Sequence, residues 1–457
     1  MAMPAPPPPT LGKAETKYLA RHAEPEAQLA SQLAEVGGPY GAVVVIPAYG
    51  EEASTLKTLE SIPTCAGAKA LVVLVVNQRS LCPDWARVAN ARLLAAVRET
   101  WPLPDGTIQI GQHAQLLCRE TTDLLLIDRT QLGFELPKKQ GVGLARKIGT
   151  DLAFALWSLG QIKTPWIHCT DADVLLPGDY WERIKSLPQT RPSKPGPSAV
   201  LYDFRHLRDD TPGRAHDQTI FEYELFLRYY VLGLHYAGSS YAMHTIGSTI
   251  AVNTRAYAQV RGFPKREAAE DFHLLSKLAK VGAVAPLRGA PIEISGRESL
   301  RVPFGTGNAV RLGRERSRTG EVYKVYDPRV FDWLGAWLDA LACVAVNEGA
   351  KIEEAVENAA RRRGLDAPTL KRILNSLSAL EAIEKVLQNK GDRGRAFNQS
   401  FGALETLKLV HALRDEVHED IPLAQALAQA EFVEVSETAS LEEQCLVLAD
   451  LERAADH

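Results

Sequence analysis

The chain has 457 residues, more than one hydrophobic core usually organises, so two domains are the default expectation. Its 46% apolar and 24% charged residues resemble an ordinary soluble globular protein rather than a disordered chain, and a net charge of −4 gives no general reason to expect nucleic-acid binding. Six scattered cysteines (65, 82, 118, 169, 343 and 445), without paired metal spacing, fit reduced thiols in a cytoplasmic protein better than a disulfide framework.

Met1 to Pro9 is a proline-rich tail without the basic-then-apolar layout of a secretory signal, and it reads as the disordered start of a variable extension over 1–38. Ala42 to Ile46 and Leu71 to Val76 are unbroken apolar runs of the kind that form strands buried on both faces. Between them 51–62 reads as a helix stopped by Pro63, which makes a β-α-β unit and hence parallel strands. Leu124 to Ile127 and Trp166 to Thr170 are further strands, joined by a helix over about 142–159 with Leu144, Ile148, Leu152, Ala155 and Leu159 at helical spacing. Ala199 to Phe204 adds another strand after the stiff loop 191–197.

From Gly296 to Gly320, five glycines and arginines at 297, 301, 311, 314, 316 and 318 predict a mobile basic connector. Helical patterns then follow over 331–346, 351–363, 370–389, 397–417 and 441–455. The most apolar of these, Phe331 to Val346, is interrupted by Asp332 and Asp339, so no stretch is suited to spanning a bilayer. The expected division is an extension over 1–38, an α/β domain over 39–295, a connector over 296–328 and a helical domain over 329–457. The helical domain carries no metal or nucleophile signature and is where self-association is expected.

In Trp166 to Pro177 a short apolar run ends in two carboxylates, Asp171 and Asp173, one residue apart. Residues i and i+2 of a strand point the same way, so such a pair at a strand end can converge on one hard cation, Mg2+ or Mn2+, with coordination positions left for a diphosphate. A surface turn that caps the following helix is the alternative reading.

Four landmarks taken together carry a resemblance. Ile46-Pro-Ala-Tyr-Gly-Glu-Glu52 resembles the opening signature of family 2 glycosyltransferases. Gly141 to Gly149 is similar to that family's glycine and Ala-Arg helix entry, Thr170 to Asp173 to its Asp-x-Asp metal loop, and Gly247 through Glu270-Asp271 to its acceptor-side Glu-Asp motif. The order matches, and the resemblance covers roughly 40–295. It implies a GT-A fold, a mostly parallel sheet flanked by helices, and transfer of a sugar from a nucleotide diphosphate donor to an acceptor hydroxyl. It also implies that Pro47, Ala48, Tyr49 and Glu51 meet the nucleotide, that Asp171 reaches ribose or metal, that Asp173 ligates the metal, and that Asp271, beside Glu270, is the base of an inverting reaction.

The residues themselves point to compatible chemistry. Departure of a nucleoside diphosphate leaves negative charge that a divalent ion can offset, and an acceptor hydroxyl must lose its proton to a carboxylate on the opposite face. Capping of the helix after Glu270-Asp271 explains that pair equally well. Arg146 and Lys147 stand near a helix start, where phosphate is favoured; a solvated surface charge is the alternative for both and the better reading for Lys147. After the second strand stands Asn77, where the family usually has an acidic residue; its amide can hydrogen-bond a base. His206 and His216 fall in a polar loop, and ordinary packing or hydrogen bonding is the expected role for every histidine. The function expected is a metal-dependent glycosyltransferase with a nucleotide-sugar donor and an unidentified acceptor. A sugar nucleotidylyltransferase is the alternative, although Pro47 to Gly50 lacks its glycine-rich basic loop, and a non-catalytic sugar-nucleotide-binding scaffold is the other.

Overall fold

The computed structural model describes residues 8–187, 196–208, 218–298, 305–347, 349–388 and 393–455. The chain divides into two compact units, Met1–Leu207 with Thr245–Ser295 and Arg208–His244 with Gly296–His457. Residues 208–244, inside the span read as the α/β domain, therefore belong with the helical unit.

The first unit is built on a ten-stranded sheet: β1 Tyr40–Ala48, β2 Lys69–Asn77, β3 Thr107–Ile110, β4 Ala114–Leu117, β5 Thr122–Arg129, β6 Trp166–Cys169, β7 Val174–Leu175, β8 Ala199–Leu207, β9 Ile250–Asn253 and β10 Val284–Ser295. The strand order is β3-β4-β5-β2-β1-β6-β9-β8-β10-β7. Strands β1, β2, β3, β5, β6, β8 and β10 point one way and β4, β7 and β9 the other, so the sheet is mostly parallel. Val43 to Ile46 and Leu71 to Val76 are wholly shielded from solvent, as apolar runs covered on both faces should be.

The helix Val142–Ser158 is buried from Gly143 to Trp157, because it packs on β1 and β2 with one side and under N-terminal segments with the other. Gly149 permits the close approach to the sheet: a Cβ there would lie 2.5 Å from Val45 Cγ1. The extension read as variable is ordered from residue 8, with helices Lys13–Arg21 and Leu29–Val36; residues 1–7 lie outside the described residues. It is fastened to the core by a buried network in which Tyr18 and Tyr257 donate to Asp151 Oδ1 (2.5 and 2.8 Å) while Lys147 Nζ and the Glu24 N–H donate to Asp151 Oδ2 (2.9 and 2.8 Å).

The second unit is helical. Its helices include Thr219–Tyr236, Thr306–Thr319, Arg329–Val346 and Leu441–Ala455, around a core containing Tyr229, Phe331, Leu334, Trp337 and Leu409. Residues 306–319 are thus an α-helix where glycine punctuation predicts an irregular connector: only Gly305 and Gly320 take left-handed backbone angles, and both lie outside the helix. The span 370–389 is two helices, Ala367–Ser376 and Ala379–Leu387, broken where Ser378 takes φ +53°. No described helix is long and apolar enough to cross a membrane.

Candidate functional site

The chemistry-bearing residues of the first unit collect at the carboxyl edge of its central parallel strands, where open α/β sheets bind ligands. The loops after β1, β2 and β6 leave from this edge, and β9, antiparallel to β6 with Ile250 opposite Cys169, brings the turn Gly247–Thr249 to it. Thr170 extends β6 by donating its N–H to the Val45 carbonyl (3.0 Å), and its Oγ1 donates to the Ser248 carbonyl (2.9 Å). On the far side of the loop the Thr58 hydroxyl donates to the Val174 carbonyl at 2.8 Å, and the Ser295 N–H donates to the Asp173 carbonyl at 3.2 Å. Both ends of the Asp-Ala-Asp turn are therefore fixed by backbone hydrogen bonds. Ala172 is fully buried while Asp171 and Asp173 are half-buried, so the carboxylates flank a residue turned inward.

Arg146 joins this loop to the Glu270-Asp271 segment. Its side chain is 2% exposed. Nη2 donates to Asp171 Oδ1 at 2.7 Å and Nε to Glu270 Oε1 at 3.1 Å, while Nη1 donates to the Gly247 carbonyl at 3.1 Å and the Thr170 carbonyl at 3.4 Å. Burial opposes the arginine's charge, but Asp171 and Glu270 outweigh it and hold the guanidinium pKa above its ordinary value. The close approach depends on glycine. A Cβ on Gly247 would stand 2.6 Å from Arg146 Nη2 and 3.4 Å from Asp271 Oδ2, and one on Gly143 would stand 2.4 Å from the Pro264 carbonyl, in the loop that leads to Glu270.

Glu270 and Asp271 open the helix Glu270–Leu278, preceded by Ala269 at φ +59°. A left-handed non-glycine residue costs roughly 1–2 kcal/mol, a local strain held at the candidate site. Asp271 lies within the first turn and accepts the Phe272 N–H at 2.7 Å; the N-cap is Ala269, so neither carboxylate caps the helix through its side chain. Desolvation, followed by repulsion from Glu270, pushes the Asp271 carboxyl up to about 7, against the Phe272 N–H and Arg146, which act to lower it. Glu270 is also raised, by its own burial. Asp271 is half-buried as a residue.

Next along the edge lies the β1 loop. Pro47 and Ala48 sit in β1, in register with Val75 and Val76 of β2. Glu51 is buried and starts the helix Glu52–Glu60. Asn77 spends its amide on the fold, with Nδ2 donating to the Ala48 carbonyl at 2.9 Å; Asn90 in turn donates to the Asn77 carbonyl at 3.0 Å and accepts the Gly50 N–H at 2.8 Å. The expectation that Asn77 reads a base thus meets a side chain already engaged in fixing the loop. Tyr49 reaches Cys82 Sγ through its hydroxyl at 3.6 Å, and its ring lies 6.1 Å from that of Trp85, which is 54% exposed. Trp85, the second residue of the helix Asp84–Thr100, was not among the expected residues.

Of the expected site residues, Arg146, Asp171, Glu270 and Asp271 form one cluster with Asp173 in the same loop, while Pro47, Ala48, Tyr49, Glu51 and Asn77 form a neighbouring one. Two readings are corrected. Lys147 is not a solvated surface charge: it is 3% exposed and paired with Asp151, because the N-terminal segments cover that side of its helix. His206 is not in a polar loop but buried in β8, while His216 lies outside the described residues. Gly247 and Thr170, whose carbonyls bind Arg146, carried no sequence signal beyond their motifs.

Among the described residues no group of three or more His, Cys, Asp or Glu side chains is arranged to hold a metal ion. The donors at the 170–173 loop are two carboxylates, hard oxygens that fit Mg2+ or Mn2+ sharing its coordination sphere with water and phosphate rather than a closed protein cage.

No protein-family model matches the chain, and no curated protein matches it. Among solved structures it is similar to S. aureus TarS 1–349, with 12% identity and a TM-score of 0.34 over 82% of this chain and 91% of that one. It is also similar to the mannosyltransferase PcManGT from Pyrobaculum calidifontis in complex with GDP-Man and Mn2+, with 15% identity and a TM-score of 0.31 over 89% of this chain and 98% of that one. A mycobacterial protein matches with 15% identity and a TM-score of 0.30 over 67% of this chain and 84% of that one.

Proposed function

We propose that the first unit is a glycosyltransferase of the GT-A type, similar to family 2, that moves a sugar from a nucleotide diphosphate to an acceptor hydroxyl with inversion. The observation that carries this is the convergence, at the carboxyl edge of the sheet, of the Asp171–Asp173 turn with the Glu270-Asp271 segment, bridged by one buried guanidinium. A carboxylate pair suited to a cation and a carboxyl suited to proton transfer thereby share one site.

Asp171 and Asp173 would hold Mg2+ or Mn2+, whose charge would offset that of the departing diphosphate. Asp271 takes the proton of the acceptor hydroxyl while the new bond from that oxygen to the anomeric carbon forms and the bond from that carbon to the diphosphate oxygen breaks. With a pKa near 7, Asp271 is ionised in a large fraction of molecules at neutral pH and is still basic enough to accept the proton. The Phe272 N–H holds its position, and the loop over Pro47 to Glu51 supports the nucleoside.

The test is to incubate the purified protein with UDP-glucose or GDP-mannose, with Mn2+ or with chelator. The expected result is thermal stabilisation and slow release of nucleoside diphosphate, both dependent on Mn2+. Release of pyrophosphate would indicate a nucleotidylyltransferase, binding without release from any of a panel of sugar nucleotides and acceptors would indicate a scaffold, and no stabilisation by any nucleotide would overturn the proposal.

A further inference from the structure

Arg146 was expected to attract phosphate, yet four of its five N–H groups already have protein partners. An arginine has five N–H groups. Nε serves Glu270, Nη1 serves the carbonyls of Gly247 and Thr170, and Nη2 serves Asp171, all from a side chain with almost no solvent exposure. The Phe263 ring, its centroid 5.8 Å from the guanidinium carbon, packs nearby. The four acceptors come from three stretches of chain: the metal-type turn, the turn before β9, and the start of the helix that carries Asp271.

We propose that Arg146 is a positioning residue: it contacts neither donor nor acceptor, but fixes the orientation of Asp171 and the separation between the Asp171–Asp173 turn and Asp271. This rests on the glycosyltransferase reading above. The geometry requires arginine in particular, since one planar fork spans four acceptors in different directions and a lysine, a single point of charge, cannot. With one oxygen of Asp171 bound to Nη2, that carboxylate has a set direction before any ligand arrives. Removing the guanidinium would also leave Glu270 buried without its partner.

The experiment compares binding of GDP and UDP with and without Mn2+ by calorimetry, in the full chain and in Arg146→Lys. In the wild type, Mn2+ should tighten nucleotide binding. In Arg146→Lys that Mn2+-dependent gain should fall about tenfold to a hundredfold, the cost typical of losing a group that orients a metal ligand, while metal-free nucleotide affinity is unchanged. Hydrogen exchange without metal should quicken in 166–176 and 245–253, the segments Arg146 ties together. If Arg146→Lys fails to fold, Arg146→Lys with Glu270→Gln removes the stranded carboxylate and carries the same expectation.

Arg146→Lys added to Asp171→Asn should cost no further Mn2+-dependent affinity, because the first acts through the second. Additive losses, or an unchanged Mn2+ gain in the folded Arg146 variants, would overturn the inference and leave the proposed function intact. A wild type without Mn2+-dependent nucleotide binding would overturn both.

Discussion

Asp271→Asn separates function from stability in a way the site geometry makes quantitative. The folded carboxyl is pushed from an ordinary 3.8 up to about 7, chiefly by desolvation and then by Glu270. The folded state therefore binds this proton more tightly than the unfolded chain, so ionising Asp271 destabilises the fold as pH rises from about 4 to about 7, after which the penalty is constant. Three units at 1.36 kcal/mol each set a ceiling of about 4 kcal/mol; partial exposure and coupling to Glu270 reduce the expected value to about 2 kcal/mol. Asparagine is isosteric and keeps an oxygen for the Phe272 N–H, but has no charge to desolvate. In the presence of chelator, Asp271→Asn should unfold about 4–8 °C above the wild type at pH 8, and by less than half that margin at pH 5, where only about one unit of the interval has been crossed. Calorimetric scans at the two pH values measure this, alongside loss of donor turnover. A variant no more stable than the wild type at pH 8, or a margin independent of pH, would refute the placement of Asp271 in a desolvated, negatively charged surrounding.

Asp173→Asn should abolish Mn2+-dependent nucleotide binding while leaving the melting temperature of the free protein within a few degrees, read by calorimetry and thermal scans. Gly143→Ala places a methyl 2.4 Å from the Pro264 carbonyl, so the loop before Glu270 must shift; a loss of about 1–3 kcal/mol in denaturant titration and a marked drop in donor turnover are expected. Asp151→Asn strips the ionic partner from buried Lys147 and weakens the hold on Tyr18, so a loss of about 3–5 kcal/mol and increased proteolysis of residues 8–36 should follow. Chelator added to wild type with UDP or GDP should remove the nucleotide's stabilising effect, and Mn2+ should restore it.

Continuous apolar runs such as Val43 to Ile46 and Leu71 to Val76 determine their own strands, because only burial on both faces accommodates them, and the intervening helix makes them parallel. The Asp-x-Asp and Glu-Asp pairs could be singled out in the sequence because each is a local pair of carboxylates, and the fold brings the two pairs to one guanidinium. What lies between them could not be read there. Nothing local to Arg146 says that its guanidinium turns inward to Asp171 and Glu270, 25 and 124 residues away, or that Lys147 beside it turns to Asp151 and a tyrosine of the N-terminal extension. The helix over 306–319 was hidden by the glycines that bound it, and residues 208–244 belong to the helical unit only because of partners remote in sequence. Sequence by itself determined the buried parallel strands and the helix between them. Tertiary structure alone decided which charges are paired and buried, because a buried charge is tolerable only beside a partner that folding brings to it.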